Sequence, residues 1–189
     1  MEARQIYPYL ENLIRLGFLE RRVSLFGTSK KGIYLIKDHI FDFWFNFVSA
    51  NKEAIERENS SLTPNPEALA MYFAKKFELF AEKELLPTLL PQSRLTGRWW
   101  HKTEEIDILA VNEPENSITF LECKWRILTR SAAENFLKAL REKASIVQWQ
   151  NETRTETFGL LARKIEGKKA LREKGYLAFD LEDFEKALS

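Results

Sequence analysis

Hydrophobic positions recur along the chain with two different periods, and where the period changes the elements can be read. Ile6, Leu10, Leu13 and Ile14 fall at helical spacing, and Gly17 stands where a glycine ends a helix. Residues 18–23 and 33–36 read as strands separated by the polar turn Gly27-Thr28-Ser29-Lys30-Lys31-Gly32, a hairpin with a basic tip. Asp38 is placed to cap a following helix that carries Phe41, Phe43, Trp44, Phe45 and Phe47. So many aromatics cannot share one face, so this helix is expected to lie buried between two bodies. The polar, proline-containing stretch 59–66 is the boundary candidate.

Beyond it, 67–85 predicts a helix with Ala70, Ala74, Ala81 and Leu85 in one row and Phe73, Phe77 and Phe80 beside it. Glu78 falls in the alanine row. Residues 97–102, 105–111 and 118–125 predict three consecutive strands, the last two joined by a turn at 112–116 around Pro114. Ser131 and Glu134 form a capping-box pattern opening a helix that turns Phe136, Leu137, Leu140, Ala144 and Val147 inward. A strand at 157–162, a helix ending at Gly175, a strand at 176–179 and a helix after Asp180 follow. This order predicts an α/β domain, a mixed sheet with helices on its faces.

Composition narrows the class. The chain has 189 residues, 44% hydrophobic and 13% aromatic, enough for a substantial core in one moderate domain or two small ones. Its formal net charge of +1 means that any positive surface for nucleic acid must be local. The single cysteine, Cys123, excludes an intrachain disulfide framework and a cysteine-based zinc site. With no signal-peptide pattern and no apolar run near the length of a membrane span, a cytoplasmic protein without a membrane partner is expected.

Candidate chemistry lies in the paired strands. Glu105-Ile106-Asp107-Ile108 and Leu121-Glu122-Cys123-Lys124 place ionisable side chains in otherwise apolar runs, where they are costly unless paired or metal-bound. Alternation puts Glu122 and Lys124 on one strand face and Cys123 on the other, and pairing of the strands would set Asp107 beside Glu122. Two carboxylates and an ammonium so close together suit metal-assisted phosphodiester hydrolysis. They also suit a buried ion-pair network without catalysis. Glu78 could reach the same place, or pair with a lysine at the edge of its helix. Arg98, Lys102, Lys124 and Arg126 would give one edge a local positive field for phosphates. Trp99, Trp100 and His101 could touch a substrate but read first as partly buried structural residues.

Glu78 on a helix, Asp107 at a strand start and Glu122-Cys123-Lys124 on the next strand resemble the PD-(D/E)XK nucleases in order and spacing. That resemblance covers about 67 to the C-terminus and implies a restriction-endonuclease-like fold. It implies further that Asp107 and Glu122 hold Mg²⁺ or Mn²⁺, that Lys124 orients or activates water, and that Glu78 is an accessory acid. Over the whole chain, Asp38 to Phe45, Phe77-Glu78, Gly97 to Trp100, Glu105 to Asp107 and Glu122 to Trp125 resemble, in this order, a C-terminal domain of archaeal ATPases. That second resemblance implies a partial winged helix plus aromatic helix at 1–58, a linker at 59–66 and the nuclease-like domain at 67–189. It also implies DNA and the parent ATPase module as partners, with a homo-oligomer as a further possibility. No Gly-x-x-x-x-Gly-Lys-Ser/Thr occurs, so nucleotide binding would belong to another part of such a protein. A helix and hairpin without the helices that precede them in a winged helix suggests that Met1 lies inside a larger parent. The alternative is that these elements simply pack on the rest of the chain. Two functions follow as expectations: a metal-dependent DNA endonuclease, or a non-catalytic DNA-docking or regulatory module.

Overall fold

A computed structural model describes residues 3–27, 31–57 and 65–188. Two compact units are present, Met1–Val23 with Lys31–Leu69, and Ser24–Lys30 with Ala70–Ser189. Most of the expected 59–66 linker, 59–64, and the hairpin tip at 28–30 lie outside the described residues.

In the first unit, helix α1 (Ala3–Arg15) ends where Gly17 takes a φ of +80°. There the Gly17 N–H donates to the Ile14 carbonyl and the Phe18 N–H to the Leu13 carbonyl, closing the helix end as a glycine C-cap does. Strands β1 (Leu19–Val23) and β2 (Gly32–Ile36) pair antiparallel, from Leu19 opposite Ile36 to Val23 opposite Gly32. The Asp38 carboxylate accepts from the Ile40 and Phe41 N–H groups at 2.8 and 2.9 Å and caps α2 (His39–Phe43) as expected. A π turn (Trp44–Val48), a 3-10 turn (Ser49–Asn51) and α3 (Lys52–Glu56) continue it. The aromatic helix is not buried: Phe41, Trp44 and Phe45 are 46%, 42% and 60% exposed. Its rings instead pair locally, Phe18 with Phe41 and Phe43 with Phe47.

The second unit is built on a five-stranded mixed sheet in the order β3-β4-β5-β6-β7. Strands β3 (Leu95–His101), β4 (Glu104–Asn112) and β5 (Ser117–Leu128) pair antiparallel with one another in that order. Strands β6 (Thr155–Ile165) and β7 (Leu177–Phe179) extend the sheet in parallel. Helix-containing crossovers supply those parallel connections: α6 (Arg130–Ala144) between β5 and β6, α7 (Lys168–Glu173) between β6 and β7. Helix α4 (Pro66–Phe80) runs through a π turn (Ala81–Leu85) into α5 (Leu86–Leu89), and α8 (Leu181–Leu188) closes the chain.

Two apolar layers hold these parts. On one face Leu137, Leu140 and Ala144 of α6 pack with Ile106, Ile118, Phe120 and Leu160 of the sheet. On the other, Phe77, Ala81, Leu85 and Phe184 pack with Ile108, Leu121, Cys123 and Leu161. A mixed sheet between helices is the α/β, restriction-endonuclease-like arrangement expected from the sequence. The capping of α6 differs: its N-cap is Thr129, whose hydroxyl accepts from the Ala132 N–H at 3.3 Å, so the helix starts before Ser131. Threonine at 129 has the extended backbone that capping requires, and Ser131 already lies within the helix.

Candidate active site

The sheet's register brings the acidic residues together. The β4–β5 ladder ends at Ile108 opposite Leu121, so Asp107 and Glu122 occupy the next step beyond it. On the other side of β4, Gly97 pairs with Leu109 and Trp99 with Ile106, leaving Arg98 to face both Asp107 and Ile108. This is a β-bulge, an irregularity that re-aims side chains. Its result is visible in the packing, since Ile106 faces the α6 layer while Ile108 faces the α4 layer. Strict alternation would have put both on one face. A second register shift follows Lys124, between Lys124 and Ile127 in the β5–β6 pair.

Where the β4–β5 ladder stops, the Asp107 carboxylate replaces it, accepting from the Cys123 N–H at 2.8 Å. Lys124 Nζ lies 2.6 Å from Glu122 Oε1, 3.1 Å from the Cys123 carbonyl oxygen and 3.7 Å from Asp107 Oδ2. Three oxygens from three successive features therefore converge on one cation position, held here by the ammonium. Lys143 of α6 approaches the other Glu122 oxygen at 3.8 Å. Across the bulge, Arg98 donates to Glu78 Oε2 at 3.2 Å and to Glu105 Oε2 at 2.7 Å.

Burial sets the protonation preferences. Asp107 and Glu122 are only 6% and 8% exposed. Burial raises the Asp107 pKa, with the neighbouring Glu122 charge adding to it against Lys124 and the Cys123 N–H. Glu78 is pushed up to about 7, by burial first and then by the Asp107 charge, against the pull of Arg98 and Lys124. Burial opposes the charge of Lys124, but Glu122 and Asp107 outweigh it and its pKa is raised. The Cys123 thiol, packed in the apolar layer on the opposite face, is held well above its ordinary pKa by burial and by Asp107.

Among the described residues, no three His, Cys, Asp or Glu side chains are grouped to hold a metal ion. Glu78 is ion-paired with Arg98 at 3.2 Å. The remaining set, Asp107, Glu122 and the Cys123 carbonyl, is all oxygen, and one or two carboxylates suffice for Mg²⁺ when waters and phosphate oxygens complete its octahedron. The donor chemistry fits a hard divalent cation. Of the expected phosphate contacts, Arg98 is engaged by two carboxylates, whereas Lys102 sits exposed in the β3–β4 turn and Arg126 is exposed over the Phe136 ring. Lys143 and Phe136, also beneath Lys124, were missed in the sequence. Their signal was the α6 periodicity, which points neither residue at Glu122 without the sheet.

The fold is an α/β domain, a five-stranded mixed sheet between helices. Residues 44–136, which contain all four of Glu78, Asp107, Glu122 and Lys124, match the model of DUF234, described as "Archaea bacterial proteins of unknown function". An uncharacterized protein of Methanocaldococcus jannaschii is 34% identical over 186 residues, covering 94% of this chain and 41% of its own length. The chain therefore spans less than half the length of that curated relative. Among solved structures, a repair endonuclease from Pyrococcus abyssi superposes on 53% of this chain and 46% of its own, at 20% identity and a TM-score of 0.35. An EndoMS complex with double-stranded DNA superposes on 53% of this chain and 43% of its own, at 18% identity and a TM-score of 0.30. Both superpositions are partial, and the fold class follows from the strand order itself. No helix among the described residues is long and apolar enough to cross a membrane.

Proposed function

We propose that the second unit is a DNA-processing module of the nuclease type, a phosphodiesterase dependent on Mg²⁺ or Mn²⁺, and part of an archaeal ATPase whose nucleotide-binding module lies elsewhere in the protein. The observation that carries this reading is the convergence of Glu122, Asp107 and the Cys123 carbonyl on one cation position, held by the Lys124 ammonium. Asp107 and Glu122 would hold the metal ion, which when bound polarises a phosphate and lowers the pKa of its water. Lys124 would then leave Glu122 to orient the attacking water or to balance charge developing on the phosphate. Glu78, protonated over more of the neutral range than an ordinary carboxyl, would keep Arg98 in place across the bulge. Lys102 and Arg126 would contact the DNA backbone as point charges.

One observation favours a second reading. Lys124 and Arg98 already neutralise the carboxylates among themselves, as they would in a docking or regulatory module that binds DNA without cutting it.

The test is incubation with duplex, single-stranded and branched DNA in Mg²⁺ or Mn²⁺, with Asp107→Ala and Lys124→Ala beside the parent. Cleavage by the parent that falls by about 10²-fold or more in both variants, with thermal melting retained, is the expected result. Equal cleavage by Asp107→Ala would sink the nuclease reading. Binding without cleavage on every substrate would favour the docking module.

A further inference from the structure

We propose that a second site, a half-open cavity at the β3 edge of the sheet, receives a single unpaired nucleobase of the DNA strand; this rests on the DNA reading above but not on cleavage. The cavity, about 140 Å³, is lined by Phe26, Gly27, Trp99, His101, Ile146 and Gln148. That is the liquid volume of about five waters, room for one heterocycle and little else.

Its aromatic lining is Phe26, Trp99 and His101, with Trp149 outside it behind Phe26. Phe26 stacks on Trp149 with ring centroids 5.7 Å apart, and Trp99 lies nearly parallel to His101 with centroids 6.4 Å apart. Trp99 is 2% exposed, and His101 and Gln148 are the polar side chains of the lining, Gln148 Nε2 donating to the Ile146 carbonyl at 3.3 Å. Flat apolar walls with a few polar groups at the rim are what a flipped or unstacked base requires, stacking for affinity and hydrogen bonds for orientation.

Both sides of the cavity are fixed in advance. Ser24 Oγ accepts from the Trp100 N–H at 2.8 Å and donates to the Trp100 carbonyl at 2.9 Å, and the Leu25 N–H donates to the Arg98 carbonyl. These bonds lash 24–27 to β3 and hold Phe26 at a φ of +57°, a conformation that a bulky residue adopts only under constraint. A Cβ at Gly27 would lie 2.4 Å from Ser24 Oγ, so the turn admits only glycine there. On the opposite side the buried Arg154 guanidinium donates to the carbonyls of Ala144, Val147 and Trp149 at 2.9, 2.8 and 2.7 Å. It thereby fixes the segment that presents Ile146 and Gln148.

The cavity is also well placed. His101 follows Arg98 by three residues on β3, about 10 Å along a strand, and Arg98 faces Asp107 across the bulge. A base in the cavity and a phosphate at Asp107 would be a few nucleotides apart on one strand.

The test measures binding in EDTA, where metal-dependent cleavage cannot contribute. Probes are a duplex with one unpaired 2-aminopurine, the matched duplex and free deoxyadenosine monophosphate, and the variants are Gln148→Trp, which fills the cavity from an exposed position, and Phe26→Leu. The parent is expected to bind the unpaired base about tenfold more tightly than the matched duplex, the worth of one stacked base, with a change in 2-aminopurine fluorescence. Gln148→Trp should remove that preference and leave matched-duplex affinity unchanged, and Phe26→Leu should weaken it. Equal binding of both duplexes by the parent, or a preference that survives Gln148→Trp, overturns the proposal; so does free mononucleotide binding as tight as the unpaired base, which would make this a nucleotide pocket. A preference for the unpaired base without any cleavage in Mg²⁺ would defeat the nuclease reading alone, and cleavage without the preference would defeat the cavity alone.

Discussion

Glu78 has an ordinary sequence position and an unusual setting. Its carboxyl, in line with Ala70 and Ala74 of α4, is pushed up to about 7 by burial and by Asp107. Below its unfolded value of 4.5 it is protonated in both states and contributes nothing to pH dependence. Between 4.5 and about 7 the unfolded chain releases its proton while the folded protein retains it, so stability falls as pH rises through that window and levels off above it. Urea midpoints at pH 5 and pH 8 should therefore differ more in the parent than in Glu78→Gln, and an identical difference in the two would assign the effect to another group. Arg98 explains why the carboxyl is tolerated. Arg98→Ala leaves Glu78 buried without its cation and should cost about 1–3 kcal/mol in denaturant melts.

The elements near the C-terminus are joined by charge as much as by packing. Lys168 at the start of α7 meets Asp180, Glu182 and Asp183 at the entry to α8, and Arg172 donates to Asp183 at 2.8 Å. Asp183 also accepts from the Asp180 N–H at 3.0 Å, which fixes the first turn of α8. Burial works against its charge, but the bonds from Arg172, the Asp180 N–H and Lys168 prevail and lower its pKa from 3.8 to about 2. A carboxylate with a lowered pKa contributes stability that is complete above 3.8 and is lost as pH falls through about 2. Asp183→Asn should cost about 1–2 kcal/mol at pH 7, and its gap to the parent should close as urea melts are taken from pH 4 towards pH 2. A gap that stays constant over that range would mean that the amide has lost shape and not charge.

At the scale of the molecule, a net charge of +1 would leave the proposed DNA binding to a small number of local cations. Lys102 and Arg126 are exposed on the second unit, whereas Arg98 is committed to Glu78 and Glu105. The salt dependence of DNA affinity counts the phosphates neutralised, with a slope near −0.9 for each on duplex DNA. The double variant Lys102→Ala, Arg126→Ala should flatten that slope by about 2, and Arg98→Ala should leave it nearly unchanged while lowering stability. A slope that follows Arg98 instead would show that its ion pairs open on DNA.

Hydrophobic periodicity and turn residues determined the elements from sequence alone. Asp38 caps its helix, Gly17 and Gly175 adopt the left-handed conformation at helix ends, and the alternation of 118–124 divides Phe120 from Cys123 between the two layers. These are local consequences of backbone geometry, which a short window contains. The acid-lysine cluster was half legible: the sequence supplied the triplet and the strand pairing supplied its neighbour. What the tertiary structure decided depends on residues distant in the chain. Arg98 facing two residues of β4 creates the bulge, the Cys123 N–H finds the Asp107 carboxylate where the ladder ends, and Lys143 reaches Glu122 from α6. Placement of the aromatic helix was equally beyond the pattern, because aromatic periodicity records that rings need cover but not whether a neighbour supplies it; Phe45 remains 60% exposed. Register and burial are properties of pairs of segments, and no single segment encodes them.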